Sequence, residues 1–326
     1  MMKTSEMIEL VKKFRETNIL VIGDMMLDKY LSGEVDSISP EAPVPIVRVK
    51  QQRYMPGGAS NVAANIAGLG AQCSVIGIVG EDEAKKILIE DLEKKNIDTS
   101  RIITDSNRST IRKERIIARS QHLLRIDFEE KKALDQDHTE KIISHIRNDE
   151  WDIIVLSDYD KGVINSRIVE EARRTGKKII VDPKPKNTAM YKGCHIITPN
   201  EKESEEMNSY LAAKEHDMLR IGNSLLDKLD SNILITQGSK GMTLFEKGSK
   251  EVFSIPTKAR EVYDITGAGD TVVALLALAI ASGSDLRTAA VLENYAAGIV
   301  VGKLGTSTLT ANELIDKIMS ENQVSA

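Results

Sequence analysis

One acid in this sequence stands where it could take a proton beside a phosphate. From position 267 the chain reads Gly267-Ala268-Gly269-Asp270-Thr271-Val272-Val273-Ala274-Leu275-Leu276, a small-residue turn that opens straight into an apolar helix. In such a turn backbone N–H groups converge at the positive end of a helix dipole, which makes a site for phosphate oxygens. Gly267, Ala268 and Gly269 are therefore candidate catalytic donors, and Asp270 is the candidate base. A resting phosphate would repel an acid placed there, but a hydroxyl about to attack a phosphate would not. The helix dipole lowers the acid's pKa, so Asp270 is expected to be ionised and a weak base. The plain structural alternative makes Asp270 an N-cap and the glycines a turn.

A second glycine-led helix start lies at 56–70, reading Pro56-Gly57-Gly58-Ala59-Ser60-Asn61-Val62-Ala63-Ala64-Asn65-Ile66-Ala67-Gly68-Leu69-Gly70. With the 267–276 segment it resembles the two signatures of the ribokinase-like (PfkB) carbohydrate kinases. Gly57, Gly58, Ala59, Asn61, Ala63, Gly70 and Gly80 fall at the intervals of the first signature. Asp264, Gly267, Ala268, Gly269, Asp270 and Ala274 meet the second. That second signature departs at Ile265, usually a small or β-branched polar residue, and at Leu275, usually Gly or Ala. Neither departure touches the acid or the turn.

These segments must be held by an α/β framework. Apolar, β-branched runs at 18–23, 74–79, 153–156, 178–181, 195–198 and 233–236 read as buried parallel strands. Amphipathic stretches at 82–95, 166–175 and 215–229 lie between them, so the sheet is expected to be covered on both faces. Two regions break the pattern. At 31–53 the prolines of Ser39-Pro40-Glu41-Ala42-Pro43-Val44-Pro45 exclude helix and an edge strand follows. At 109–128 residues alternate, with Ile116, Ala118, Leu124, Ile126 and Phe128 on one face and Lys113, Arg115, Arg119, Gln121 and Arg125 mainly on the other. The resemblance implies one ribokinase-like kinase domain over 1–326, a three-layer α/β/α fold with a central, mainly parallel sheet. The two irregular regions would form a small β-sheet lid over the sugar, and through it a homodimer.

Bulk composition sets outer bounds. The 326 residues are 41% hydrophobic and 29% charged, enough for a sizeable core. Aromatics at 4% and a net charge of −5 leave no footprint for single-stranded nucleic acid, DNA or an anionic membrane. Cys73 and Cys194 lack metal-ligand spacing and sit in apolar surroundings, as free thiols in a reducing compartment do. The charged first fourteen residues lack the apolar core of a signal peptide, and no apolar run spans a bilayer, so a cytoplasmic protein is expected. No Gly-x-x-x-x-Gly-Lys-Ser/Thr occurs, which excludes a P-loop enzyme.

The resemblance also distributes roles. Asp28, five residues after Gly23, would hold sugar hydroxyls together with Gly57, Gly58 and Asn61, and Asp24 is a further substrate candidate. Asn200 and Glu203, in Thr198-Pro199-Asn200-Glu201-Lys202-Glu203, match an Asn-x-x-Glu pattern whose acid acts through magnesium-bound water. Thr236, Gly238, Ser239 and Gly241 would line the nucleotide, and Asn294 and Gly298 would flank its adenine. Asp264 and Thr266, with the 302–305 loop, resemble the monovalent-cation site of some members, where K+ would bind. ATP and Mg2+ are thus the implied cofactors. For the substrate, Arg112, Arg115 and Arg119 concentrate positive charge in the lid of an acidic protein, and arginine forks suit phosphate oxygens. Lys161 and Lys184, on loops at strand ends, are further phosphate candidates.

Four stretches narrow the resemblance. They are Ser-Ile-Ser-Pro-Glu-Ala-Pro-Val-Pro at 37–45, Leu-Leu-Arg-Ile-Asp-Phe-Glu-Glu at 123–130, Leu-Ser-Asp-Tyr-Asp-Lys-Gly at 156–162 and Val-Val-Gly-Lys-Leu-Gly-Thr-Ser-Thr at 300–308. They are similar to the D-glycero-β-D-manno-heptose-7-phosphate kinases, which implies phosphorylation of the anomeric oxygen to the 1,7-bisphosphate used for ADP-heptose. In many bacteria that kinase is fused to an adenylyltransferase. With no His-x-Gly-His motif, this sequence is expected to be a stand-alone or excised kinase without that domain. The alternatives are a 1-phosphofructokinase-like sugar-phosphate kinase and a catalytically silent ligand-binding protein on the same scaffold.

Overall fold

The apolar runs pair in parallel, because strands buried on both faces lose nothing by being β-branched throughout. The computed structural model describes residues 3–119, 121–147, 151–212, 217–257, 267–300, 302 and 308–323. Among them the main sheet has eight strands: β1 (Asn18–Gly23), β4 (Gln72–Ile76), β9 (Ile153–Ser157), β10 (Lys178–Asp182), β11 (Ile196–Ile197), β12 (Asn232–Thr236), β13 (Met242–Phe245) and β14 (Phe253–Ile255). Their order is β14-β13-β12-β11-β10-β9-β1-β4, parallel from β4 through β12 and antiparallel for the last two.

Helices cover both faces. Against one face lie α1 (Thr4–Lys13), α2 (Ala59–Gly68), α3 (Glu83–Lys94), α8 (Ala268–Ala281), α9 (Leu286–Val300) and α10 (Ala311–Gln323). Against the other lie α4 (Gln136–Ile146), α5 (Ser166–Arg174), α6 (Glu201–Tyr210) and α7 (Met218–Leu229). Most of these are amphipathic; α8 is not. Every residue from Asp270 to Ile280 is buried, so α8 lies inside the layer, between α2 and α9.

A second sheet stands off the first. Its order is β3 (Pro45–Gly58), β2 (Met25–Ile38), β7 (Ile111–Ala118) and β8 (Gln121–Phe128), with β2 and β7 parallel and the other pairs antiparallel. A further short pair joins β5 (Ile78–Val79) to β6 (Ile103–Thr104). Only Asp24 separates β1 from β2, so the lid grows directly out of the main sheet. The lid strands start earlier than 31 and end later than 53. The reason is burial at the lid's base, where Met25, Met26, Leu27, Asp28 and Tyr30 are all buried, which erases the alternation that marks a half-exposed strand. No helix among the described residues is long and apolar enough to cross a membrane.

Candidate active site

Gly267 is the N-cap of α8 and has a φ of +79°, a left-handed conformation that glycine adopts without strain. Among the described residues nothing lies within 4 Å of a Cβ placed on Gly269, so among them this side of the turn can be approached closely. Asp270 follows inside the first turn and is not the cap. Its carboxylate is engaged elsewhere: Asn61 Nδ2 donates to Oδ2 at 2.7 Å and Tyr159 Oη donates to Oδ1 at 2.9 Å. The expected lowering of its pKa by the dipole does not prevail. Burial pushes it up to about 6, Asn61 and Tyr159 pull it down, and the charge on Asp28 pushes the same way as burial. Asp270 is therefore a stronger base than the sequence suggests, and still ionised at neutral pH.

A cleft of roughly 170 Å³ opens above this turn. Gly267, Gly269 and Asp270 line it together with Asn200 and Glu203 at the head of α6 and Thr236 at the end of β12. The fold thus brings the anion turn beside part of the nucleotide motifs, at the carboxyl ends of parallel strands, where ligands of open α/β sheets bind. Asn200 and Glu203 cap α6 reciprocally. Asn200 Oδ1 accepts from Glu203 N at 2.9 Å, and Glu203 Oε2 accepts from Asn200 N at 3.1 Å. Gly238 and Ser239 form an exposed turn outside the cleft lining. Gly241 closes it, where a Cβ would lie 2.0 Å from the Ile255 carbonyl oxygen. Asn294 donates to the Pro256 carbonyl at 2.7 Å, with Gly298 one turn further along α9. Asp264 and Thr266 lie outside the described residues.

The expected sugar end lies on the second sheet. Asp28 is buried on β2, and a Cβ on Gly57 would come within 2.8 Å of its Oδ2, so glycine there makes room for the acid. Gly58, at φ +55°, turns the chain into α2 and so delivers Asn61. Arg115 Nη1 meets Asp28 Oδ1 at 2.6 Å, and its guanidinium stands 5.2 Å from the Tyr30 ring. Burial raises the Asp28 pKa and Arg115 opposes it.

Three substrate candidates need correction. Asp24 has both oxygens engaged by backbone: Oδ2 accepts from Tyr159 N at 2.9 Å and Lys161 N at 3.0 Å, and Oδ1 from Val163 N at 3.2 Å. It holds the loop after β9. Arg112 falls on the opposite face of the lid from Asp28, because Asp28 is level with Lys113 and alternate residues face opposite ways. There it stacks 4.2 Å from the Phe128 ring and meets Glu114 at 2.8 Å. Arg119 sits exposed in the hairpin turn after β7, at φ +49°, about 13 Å along the strand from Arg115. Lys161 Nζ pairs with Glu129 at 2.7 Å, a carboxylate it shares with Lys113. Lys184 does line the cleft, with its Nζ 5.9 Å from the Tyr159 ring.

Sequence reasoning missed Tyr159, Asp158 and Asp182, which also line the cleft. Their signal is position, since each stands at or just after the end of a parallel strand. Asp158 is spent on Tyr191 Oη and Asn187 Nδ2, at 2.6 and 2.8 Å. Asp182 is held well above the usual carboxylate range by burial and by the charges of Asp270 and Glu203. That mutual repulsion between hard carboxylates fits a divalent cation. Among the described residues no group of three ligating side chains forms a closed metal site, and magnesium, which keeps several of its waters, needs none.

Comparison with known proteins agrees with this geometry. Residues 16–313 match the profile described as pfkB family carbohydrate kinase. Relatives named Bifunctional protein HldE are 45% identical in Shewanella loihica, over 93% of this chain, and 41% identical in Geobacter sulfurreducens, over 92%. The chain spans 63% of the length of each. Among solved structures, the ribokinase of Thermotoga maritima superposes with a TM-score of 0.75 at 25% identity, covering 93% of this chain and 99% of that one. Phosphofructokinase-2 of Escherichia coli, solved in complex with potassium, gives 0.76 at 17% identity, covering 94% and 99%. With its ribokinase-like fold, its paired signatures and Asp270 at the head of α8, the chain belongs to the pfkB family of carbohydrate kinases.

Proposed function

We propose that this chain transfers the γ-phosphoryl group of ATP to the anomeric C1 hydroxyl of D-glycero-β-D-manno-heptose 7-phosphate, giving the 1,7-bisphosphate for ADP-heptose biosynthesis. One observation carries the reading: Asp270 lies between the sugar-side Asn61 and a cleft lined by Asn200, Glu203 and Thr236. The stretches at 37–45, 123–130, 156–162 and 300–308 support heptose phosphate as the sugar.

Asp28 and Asn61 orient the sugar so that its anomeric hydroxyl reaches Asp270. Asp270 accepts the hydroxyl proton as the new O–P bond forms and the bond to ADP breaks. The N–H groups of the 267–269 turn, at the positive end of α8, meet the charge spreading over the transferring phosphoryl oxygens. Glu203 and Asp182 would hold magnesium through its waters, where it neutralises charge on the nucleotide phosphates. K+ would bind at Asp264 and Thr266. The lid's exposed apolar residues, among them Ile38, Val44, Ile46 and Leu124, favour a homodimer formed through the lid of a cytoplasmic kinase. Sedimentation should give the dimer at micromolar concentration; a fully active monomer would remove that part.

The test is ADP release across a panel of heptose 7-phosphate, free heptose, fructose 1-phosphate and fructose 6-phosphate. Heptose 7-phosphate should give the highest kcat/KM. A fructose phosphate turned over faster, or no ADP with any sugar, would overturn the assignment.

A further inference from the structure

Asp270 is held on both oxygens by elements approaching from different sides. Asn61 reaches Oδ2 from α2, and Tyr159 reaches Oδ1 from the loop after β9. A free carboxylate turns broadly about its last torsion. Two donors on two oxygens stop that turning, because rotation would break at least one of them.

Tyr159 is itself fixed. Its backbone N–H donates to Asp24 Oδ2 at 2.9 Å, and the same buried carboxylate takes Lys161 N and Val163 N. Asp24 thus pins three amides of one loop, and the loop presents a phenol to the candidate base. Lys184 stands over the face of that phenol.

We propose that Tyr159 is a positioning residue for phosphoryl transfer, setting the plane of the Asp270 carboxylate through its hydroxyl, with Asp24 as the anchor of its loop. The proposal rests on the reading of Asp270 as the base. The hydroxyl also favours the anionic form, since it can donate to the carboxylate and remains a donor: burial and the Asp270 charge raise its own pKa well above that of a free tyrosine. The charged groups around Asp270 work the other way. Asp28 on the lid raises its pKa, whereas Asp182 at the end of β10, in the same cleft, has its own pKa raised well above the usual range by burial and by Asp270. Lys184 is the cation near it, beyond the Tyr159 ring, and α2 presents the neutral Asn61. Removing the Tyr159 donor therefore leaves the anion with one donor, Asn61, against burial and the charge of Asp28.

Tyr159→Phe keeps the ring and removes the hydroxyl. A charged hydrogen bond of ordinary strength is worth at least tenfold, so kcat should fall about tenfold or more with the KM for ATP within about twofold. The acid limb of the kcat/KM profile for sugar should move up by about one pH unit. Tyr159→3-fluorotyrosine, a stronger donor of nearly the same shape, should move that limb down. Thermal melting with and without ATP checks that both variants are folded. An unmoved limb in both variants, with kcat within about twofold, would make Tyr159 a wall of the cleft and end the proposal. Asp270→Asn separates the two ideas. If it stays active, the base reading itself fails; if it is dead while both Tyr159 variants behave as wild type, only the Tyr159 assignment fails.

Discussion

Asn61 Nδ2 lies 2.7 Å from Asp270 Oδ2, joining two helix starts that are 209 residues apart in the chain. The contact ends a buried relay. Thr271 Oγ1 donates to Asn65 Oδ1 at 3.3 Å, and Asn65 Nδ2 donates to Asn61 Oδ1 at 3.3 Å and to the Asn61 carbonyl at 2.9 Å. Because the Asn61 oxygen is taken by Asn65, its NH2 group must face Asp270. The two glycine-led signatures are thus one hydrogen-bonded unit, and each residue in it fixes the orientation of the next.

Asp270→Asn keeps the shape of this unit and removes the proton acceptor. Turnover should fall by roughly 10²–10⁴-fold, the usual loss for a general base, while ATP binding measured by calorimetry stays within about twofold. A variant that retains more than about a tenth of wild-type kcat would rule out Asp270 as the base.

The pH profile follows from the same carboxylate. With its pKa pushed up to about 6 by burial, Asp270 is anionic at pH 7 and protonated by pH 5. Only the anion can take a proton, so kcat/KM should drop about tenfold per pH unit below pH 6 and level off above it. A flat profile down to pH 5, in an enzyme still folded there, contradicts the assignment.

The lid arginines should separate sharply. Arg115→Met leaves Asp28 buried without its cation, a change that costs about 3–5 kcal/mol for a buried pair. The melting temperature should fall and the sugar KM rise at least tenfold. Arg119→Met, in the exposed hairpin turn, should leave the melting temperature unchanged and the sugar KM within about twofold. Equal effects of the two changes on sugar KM would mean that the lid reads its substrate at the hairpin and not at Asp28.

Glu293 makes a prediction about stability. It is fully buried on α9, neither oxygen has a partner among the described residues, and burial raises its pKa from 4.5 to about 8. Between those two values the folded chain keeps a proton that the unfolded chain has lost. Stability should therefore fall as pH rises from about 4.5 to 8, by at most roughly 1.4 kcal/mol per pH unit. Glu293→Gln should flatten the fall, seen as a smaller loss of Tm between pH 5 and pH 8. If the two slopes coincide, the acid is not carrying a buried proton.

Much of the framework was legible because its signals are local. The β1 run at 18–23 has no other use for five buried apolar or small residues in a row, and a glycine pair before a small-residue helix constrains its own backbone. The base of the lid was hidden, since a strand buried on both faces does not alternate. Arg112 and Arg115 differ by parity, and in a strand an odd offset decides the face. That signal was present in the sequence. Tyr159 and Asp182 gain meaning only from the order β10-β9-β1, which sets loops distant in sequence around one cleft. The raised Asp270 pKa is not legible in the sequence, because a dipole can be read from it whereas burial depends on everything packed above the acid.

Helix α8 carries the candidate base at its head and fills the space between α2 and α9 with the rest of its fourteen residues. A chain grows from its N-terminus, so the lid, Asn61 and the strands of the main sheet are all made before residue 268. Without α8, the apolar faces of α2 and of the sheet against which it packs would lack their cover. The same fourteen residues then seal that surface and supply Asp270. A chain cut before residue 268 would therefore lose the candidate base and the cover of this apolar layer together.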